Sequence, residues 1–264
     1  MSTMVFFHAH PDDEAISTGG TMTLAAAAGH RVVVVFATGG EEGEVADGFL
    51  GDGETLGEVR ARESRAAGQI MGVARVAFLG YRDSGMMGTP ENDNPHAFWQ
   101  AEVDEAGARL AAFLDEEAAD VLTVYDDHGG YGHPDHIQVH RVGHRAAELA
   151  GTPRVFEATM NRDTIRRRLE LREGMEDAGG ADQDFDYEAL GLADSEITTA
   201  VDVCEVVATK RRAMAAHASQ IDESSWFLRL PPDAFAQVFC TEWFRRTRPP
   251  FAGDPVVDRE AWLL

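Results

Sequence analysis

The stretch Met4-Val5-Phe6-Phe7-His8-Ala9-His10-Pro11-Asp12-Asp13-Glu14 lies close to the start of the 264-residue chain. Its first half is an apolar run typical of a strand buried on both faces, and its second half is polar and leads into a helical pattern. A buried strand, a polar turn and a helix form the repeating unit of α/β folds, in which binding sites form where the strands end. The stretch therefore predicts both the fold class and the place of a site.

The same alternation continues along the chain and predicts an α/β fold with a mainly parallel sheet covered by helices. The predicted strands are Met4–His8, Arg31–Ala37, Arg75–Leu79, Val121–Tyr125, Arg154–Glu157 and Ile197–Val203. The predicted helices are Ser17–Ala28, Leu56–Met71, His96–Glu117, Pro134–Leu149, Asn161–Arg172, Cys204–Ser219 and Pro232–Arg245.

No linker rich in Pro, Gly or Ser divides the chain, so a single domain over residues 1–264 is predicted. The segment Glu173–Glu196 differs from the rest because it is rich in Asp, Glu and Gly and contains no Lys or Arg. This composition is typical of a surface insertion, and a lid that covers the substrate is the alternative.

The chain carries 46 acidic and 23 basic residues, a formal net charge of −23. A charge of this size repels nucleic acid and anionic membranes, so neither is expected as a partner. No apolar run reaches the roughly 18 residues of a membrane span, and no secretory signal precedes the first strand. We therefore expect a cytoplasmic protein that acts on a small molecule, and a homo-oligomer stays open.

The two cysteines, Cys204 and Cys240, lie far apart in the chain and lack C-x-x-C spacing. This pattern predicts two reduced, partly buried thiols rather than a disulfide or a zinc pair. Any metal site must then be built from histidines and carboxylates.

Several polar side chains crowd the turn after the first predicted strand. His10 and Asp13 are three residues apart across a turn with proline, so both can face one metal ion, and imidazole and carboxylate ligands suit Zn²⁺. The neighbouring Asp12 should diverge and stay unligated, which leaves a carboxylate where a general base belongs. His8 shares the pleat side of His10 and is expected behind it. A helix cap alone does not require so many polar groups.

A second polar segment, Asp126–Asp135, follows another predicted strand and leads into a helix whose first position is Pro134. His133 and His136 lie three apart on one side of the first turn, so one can bind a metal ion while the other faces the substrate. Asp135 can hold a histidine through a hydrogen bond.

His140 and His144 continue the same helix at four-residue spacing from His136. A zinc pair formed by His136 and His140 is therefore an alternative arrangement. It lacks the glutamate that follows the first histidine in H-E-x-x-H proteases, which favours a supporting or surface role for His140.

The two segments resemble the motifs of the LmbE/PIG-L family of zinc-dependent de-N-acetylases. The matches are Ala9-His10-Pro11-Asp12-Asp13-Glu14 and Gly130-Tyr131-Gly132-His133-Pro134-Asp135-His136, in the family's order and with similar separation. The resemblance reaches about Gly151 and extends more loosely along Lys210–Gln220. It implies a Rossmann-like sheet and hydrolysis of an N-acyl group, above all N-acetyl, from an amino sugar or glycoconjugate such as N-acetylglucosaminyl-inositol.

The resemblance also implies roles for individual residues. The implied metal ligands are His10, Asp13 and His136. Zn²⁺ is favoured, although Fe²⁺ fits the same ligands. Asp12 is implied as the base that deprotonates the attacking water, and His133, with Asp135 behind it, as the group that stabilises the oxyanion and assists departure of the amine.

Three further residues gain roles from the resemblance. Tyr131 is implied to polarise the carbonyl or contact the substrate, and Arg60 and Asp83 match positions that contact the sugar or inositol in related mycothiol enzymes. The loop Gly39–Val45 and the segment Arg82–Gly85 look closest to that branch, which contains a deacetylase and an amidase of mycothiol conjugates.

Three other functions remain as alternatives. An amidase that acts on a thiol conjugate shares all the motifs above. A dinucleotide-binding module is disfavoured because G-x-G-x-x-G does not follow the first strand. A metal-dependent phosphoesterase is disfavoured because no basic cluster lies near the motifs.

Overall fold

A computed structural model of the chain describes residues 1–46, 48–173 and 189–264. These ranges contain a seven-stranded sheet with the order β3-β2-β1-β4-β5-β7-β6. Its strands are β1 (Thr3–His8), β2 (Arg31–Thr38), β3 (Arg75–Tyr81), β4 (Val121–Tyr125), β5 (Arg154–Thr159), β6 (Thr199–Asp202) and β7 (Thr241–Arg248). The first five strands are parallel, whereas β7 pairs antiparallel with β5 and β6. The predicted α/β class with a mainly parallel sheet is confirmed.

Helices connect the strands. Those of the described ranges are α1 (Asp13–Ser17), α2 (Gly19–Ala27), α3 (Leu56–Met71), α4 (Val103–Glu117), α5 (Gly129–Gly132), α6 (Pro134–Ala150), α7 (Arg162–Glu173), α8 (Val207–Ala215), α9 (Trp226–Arg229) and α10 (Pro232–Phe239). The chain moves one way along the sheet from β1 to β3 and the other way from β3 to β5. Because parallel crossovers are right-handed, α2 and α3 cover one face, and α4 and α6 cover the other.

Burial on both faces explains the apolar strands. Every residue of Met4–Phe7 and Val32–Ala37 is almost completely buried. Strands covered on both sides cannot alternate with polar residues, so these runs are continuous. The core therefore lies along β1 and β2, directly beneath the polar turn that follows β1.

Local signals placed several helix ends correctly. Helix α3 spans the predicted Leu56–Met71, with a capping box between Thr55 and Glu58 at its start and Gly72 in the left-handed conformation at its end. The helix predicted to begin at His96 begins instead at Val103, after a 3₁₀ turn at Phe98–Gln100.

The helix predicted over Pro232–Arg245 was wrong in its second half. Helix α10 ends at Phe239, and Thr241–Arg248 forms β7. In this strand Glu242 and Phe244 are buried. The strand was missed because it is rich in charge, and the burial of Glu242 becomes acceptable through an ion pair with Lys210 and hydrogen bonds from two backbone N–H groups of α2.

The prediction of two reduced thiols was also wrong, because Cys204 and Cys240 form a disulfide. Pairing of β6 with β7 sets Asp202 opposite Thr241. The cysteines lie just beyond this pair, and their Cα atoms are 4.4 Å apart. Their sequence separation of 36 hides this proximity in the sequence.

Most of the acidic segment Glu173–Glu196, predicted as an insertion or lid, lies outside the described residues. The chain is described again from Ala189, and Leu190 and Leu192 are buried there. Among the described residues, no helix is both long enough and apolar enough to cross a membrane.

The strand order fixes where a site can form. Strand β1 has β2 on one side and β4 on the other, and the connections leave these strands in opposite directions. A crevice opens at such a reversal, beyond the carboxyl ends of the strands. The turns after β1 and β4 both lie there.

We expect Gly143→Ala to destabilise the fold, because a Cβ on Gly143 would lie 2.2 Å from Cγ1 of Val124 on the central strand β4. Such overpacking costs roughly 1–3 kcal/mol, which urea denaturation would detect. The matched control is Gly57→Ala in α3, where the nearest atom to the new Cβ would be Cγ of the Glu41 side chain, at 3.2 Å. Helix propensity favours that change by about 0.5–1 kcal/mol. Equal effects of the two substitutions would contradict this packing argument.

Candidate active site

The turn after β1 carries three consecutive functional residues. The Asp13 carboxylate accepts a hydrogen bond from the backbone N–H of His10 (2.9 Å), which closes the turn as α1 begins. Asp12 has a φ of 106°, outside the regions that non-glycine residues prefer. Such strain persists only where the surroundings hold it. The side chains of Asp12 and Asp13 diverge, since Asp12 contacts Arg60 and Asp13 contacts His10 and His136.

The turn after β4 places the second group of residues. His133 is the N-cap of α6, and its Nδ1 accepts a hydrogen bond from the backbone N–H of Asp135 (3.1 Å). Gly129 has a φ of 67°, and a Cβ there would lie 2.5 Å from the Cβ of His136. Only glycine fits this close approach, which lets His136 face the β1 turn.

Asp13 lies between two histidines. Its Oδ2 is 3.5 Å from Nδ1 of His10 and 3.3 Å from Nε2 of His136. Ligand atoms at 2.0–2.2 Å from a tetrahedral zinc ion lie roughly 3.4 Å from one another. Each Asp13 contact therefore has the spacing of two ligands of one divalent metal ion, and among the described residues His10, His133 and His136 form a group whose ligand atoms all lie within 4.8 Å of one another.

The charges around this cluster also favour a cation. His10 is buried, and its Nε2 faces Asp135 Oδ2 at 3.1 Å and Asp83 Oδ1 at 3.4 Å. Although burial opposes it, these carboxylates and Asp13 raise the pKa of His10 well above its usual value. Burial would raise the pKa of Asp13, but His136 and His10 hold it well below its usual range.

Asp135 was expected to hold the ring of His133, but its carboxylate contacts a different histidine. Its carboxylate contacts the ring of His10, and only its backbone N–H contacts His133. Ser84, which the sequence did not single out, donates to the same carboxylate from its backbone N–H (3.0 Å) and from its hydroxyl. Asp135 therefore orients His10 so that Nδ1 is free to bind a metal ion.

Arg60 and Asp83, which were expected to contact the substrate, both have partners within the protein. Arg60 is buried and donates to the carbonyl oxygens of Gly40 (2.7 Å) and Pro11 and to Asp12 Oδ2 (3.2 Å). Burial raises the pKa of Asp12 to about 6, although Arg60 opposes the shift. Asp83 accepts from the backbone N–H of Gly85 (2.9 Å) as well as facing His10.

His133 and Tyr131 lie at the open side of the cluster. Burial, followed by the nearby His10 and His136, lowers the pKa of His133 to about 4, so its ring is neutral near pH 7. Because Nδ1 of His133 accepts a hydrogen bond from the Asp135 N–H, the proton of the neutral ring is on Nε2. The Nε2–H group can therefore donate a hydrogen bond. Tyr131 is 47% exposed overall, yet its hydroxyl is 3.5 Å from Nε2 of His136. Burial and the Asp13 charge raise its pKa, which keeps this hydroxyl a donor.

Other histidines of the sequence motifs lie away from this cluster. His8 bonds to the Tyr125 hydroxyl (2.7 Å) and to Thr18 (3.0 Å) beneath the turn. His140 and His144 both contact the buried carboxylate of Glu157, at 3.2 and 2.9 Å. Glu157 therefore engages His140, one of the two histidines that a His136–His140 metal pair would require, while His136 faces Asp13.

A cavity of about 220 Å³ opens above the cluster. The residues that line it include His10, Asp13, His133, Glu42, Asp83 and Met86. Within the described part of the chain, Arg60 is the one Lys or Arg of the lining, against four carboxylates. This acidic surface disfavours anionic substrates.

Comparison with known proteins gives a family for this fold and site. A family model described as PIG-L, GlcNAc-PI de-N-acetylase, matches residues 5–147, more than half of the chain. The chain belongs to the PIG-L family, which confirms the resemblance seen in the sequence. The matched residues run from β1 into α6 and include both turns that build the site.

Curated relatives extend the similarity over nearly the whole chain. The 1D-myo-inositol 2-acetamido-2-deoxy-alpha-D-glucopyranoside deacetylase 1 of Catenulispora acidiphila is 38% identical over 266 residues, covering 92% of this chain and 82% of the relative. A protein of the same name, without the final numeral, from Geodermatophilus obscurus is 39% identical over 269 residues, covering 93% and 92%.

A solved structure supports the fold. The N,N'-diacetylchitobiose deacetylase of Pyrococcus horikoshii aligns with a TM-score of 0.59 and 22% identity, over 93% of this chain and 83% of that chain. At this identity the similarity establishes the architecture alone.

We expect metal-free protein to take up one equivalent of Zn²⁺ or Co²⁺ at the cluster, because binding supplies the positive charge that the carboxylates attract. His10→Ala, Asp13→Ala and His136→Ala should each lower the affinity in equilibrium dialysis. His140→Ala is the matched control on the same helix and should bind as the wild type does. Loss of the metal in His140→Ala with retention in His136→Ala would instead support the helical pair.

Proposed function

We propose that this protein is a zinc-dependent N-deacetylase that hydrolyses the acetamide of N-acetylglucosaminyl-inositol or a closely related amino sugar conjugate. The observation that carries the proposal is Asp13 held between His10 and His136, with a second carboxylate, Asp12, on the next residue. Relatives that are 38% and 39% identical bear the name of this activity.

His10, Asp13 and His136 would hold the zinc ion. When bound, zinc lowers the pKa of a water molecule and polarises the amide oxygen. Zinc is proposed over other cations because two imidazoles and one carboxylate leave the fourth tetrahedral position open, as in catalytic zinc sites.

Asp12 is proposed as the general base. Its carboxylate lines the cavity beside Asp13 but does not face His10 or His136, so it stays available to accept a proton from water. Arg60 holds one carboxylate oxygen and thereby fixes its direction. A pKa of about 6 leaves Asp12 ionised near neutral pH yet basic enough to take a proton.

His133 and Tyr131 are proposed to stabilise the negative charge that develops on the amide oxygen. Both line the cavity, and both present a protonated donor, Nε2–H and O–H respectively. Donors that are fixed before the reaction stabilise an oxyanion without reorganisation. Asp12 returns the proton it takes from water to the amide nitrogen as the C–N bond breaks, so the products are the amine and acetic acid, which ionise to ammonium and acetate near neutral pH.

The charge of the cavity supports an amide substrate over a phosphoester. Among the described residues four carboxylates and one guanidinium line it, so its net charge stays negative even with Zn²⁺ bound, which disfavours a phosphate and favours the ammonium product. An amidase that acts on a thiol conjugate would use the same residues and is the second candidate.

The decisive experiment measures amine release from N-acetylglucosaminyl-inositol, from free N-acetylglucosamine and from a cysteinyl amide conjugate of glucosaminyl-inositol. The proposal expects the highest kcat/KM with the first compound. Preference for the cysteinyl conjugate would establish the amidase, and release of phosphate from a model ester without release of amine would overturn both.

The adjacent carboxylates should respond differently to the same substitution. Asp13→Asn should weaken zinc binding, because a neutral amide is a poorer ligand than a carboxylate. Asp12→Asn should keep the metal and lose roughly 10²–10⁴-fold in rate, mainly in kcat, because only the proton acceptor is removed. Zinc content and steady-state kinetics of both variants would test this. Near-normal turnover by zinc-loaded Asp12→Asn would show that another group is the base.

A further inference from the structure

We propose that His217 is a positioning residue of this active site, because it fixes the backbone of Asp12 through the carboxylate of Glu14. This inference rests on the proposed role of Asp12 as the base. His217 is 203 residues from Glu14 in the chain and lies beyond the segment matched by the family model.

The link consists of two hydrogen bonds through one carboxylate. His217 donates from Nε2 to Glu14 Oε1 at 2.6 Å. The other oxygen, Oε2, accepts from the backbone N–H of Asp12 at 2.9 Å. The side chains of Glu14 and His217 are almost completely buried, so neither bond has water as an alternative partner.

The backbone of Asp12 requires such support. Its φ of 106° is costly for a residue with a side chain, and this conformation decides where the carboxylate lies. Arg60 holds the carboxylate itself, whereas Glu14 holds the N–H of the same residue. Two independent attachments thus determine the position and the direction of the base.

His217 is itself fixed by the turn that follows α8. Its carbonyl accepts from the N–H of Ile221 (2.7 Å), which closes that turn. Ser219 donates to the Glu63 carboxylate of α3 from its N–H (2.8 Å) and its hydroxyl (2.6 Å). Helix α3 also carries Arg60, so one helix anchors both supports of Asp12.

The test compares two substitutions that each remove the donor of a buried carboxylate. His217→Leu removes the donor to Glu14, and Lys210→Met removes the donor to Glu242, which lies away from Asp12. Both should lower the free energy of unfolding. Only His217→Leu should lower kcat, by roughly 10²-fold as expected for a misplaced catalytic group, with KM and zinc content unchanged.

Restoring a donor should restore the rate. His217→Gln places an amide N–H near the position of Nε2 and should recover most of the lost kcat, whereas His217→Asn is too short to reach Glu14 and should not. If His217→Leu fails to fold, His217→Asn is used in its place, because it also removes the donor to Glu14. Equal kcat in wild type and His217→Asn, or an equal loss in Lys210→Met, would overturn the proposal.

Hydrogen exchange provides a measure that does not depend on activity. The Asp12 amide should exchange faster in His217→Leu and His217→Asn than in Lys210→Met, and unchanged protection would also overturn the proposal. Full activity of Asp12→Asn would defeat the proposed function instead. If the wild type is active, Asp12→Asn is inactive and His217→Asn is unaffected, the proposed function stands. Only the inference about His217 is then overturned.

Discussion

The contact of one carboxylate, Asp13, with two histidines from different turns holds the site together. His10 belongs to the turn after β1 and His136 to the helix after β4, and the Asp13 carboxylate reaches both. The parallel pairing of β1 with β4 brings these turns together at the point where the strand order reverses. Burying a carboxylate between two imidazoles is favourable only if positive charge is present, so the fold itself creates a demand for a cation.

The sequence predicted those features that depend on neighbouring residues. The strand, turn and helix around His10 and those around His133 could be recognised because apolar runs, a proline at the first helical position and glycines act locally. The boundaries of α3 and β4 followed from the same signals. Both turns lie at the carboxyl end of a parallel sheet, so their proximity also followed from the fold class.

Features that depend on distant partners could not be predicted. Strand β7 is polar, and the burial of its Glu242 depends on partners distant in the chain, among them Lys210. Nothing in the sequence shows that Asp135 faces His10 or that Arg60 is buried against Asp12. A histidine such as His217, alone in its segment, has no local pattern that could connect it to Glu14.

The contacts of Glu242 in β7 restrict which C-terminal segments the N-terminal part of the chain can accept in evolution. Its two carboxylate oxygens accept from the backbone N–H groups of Gly20 and Thr21, both at 2.8 Å, in the first turn of α2. That helix directly follows the turn with Asp12 and Asp13, and a negative charge stabilises its N-terminus. The reacting groups thus lie between residues 10 and 136, while a charge that stabilises the helix after the first turn is encoded in the last tenth of the chain. An exchange of C-terminal segments between relatives would preserve the stability of α2 only where the incoming segment provides an equivalent carboxylate.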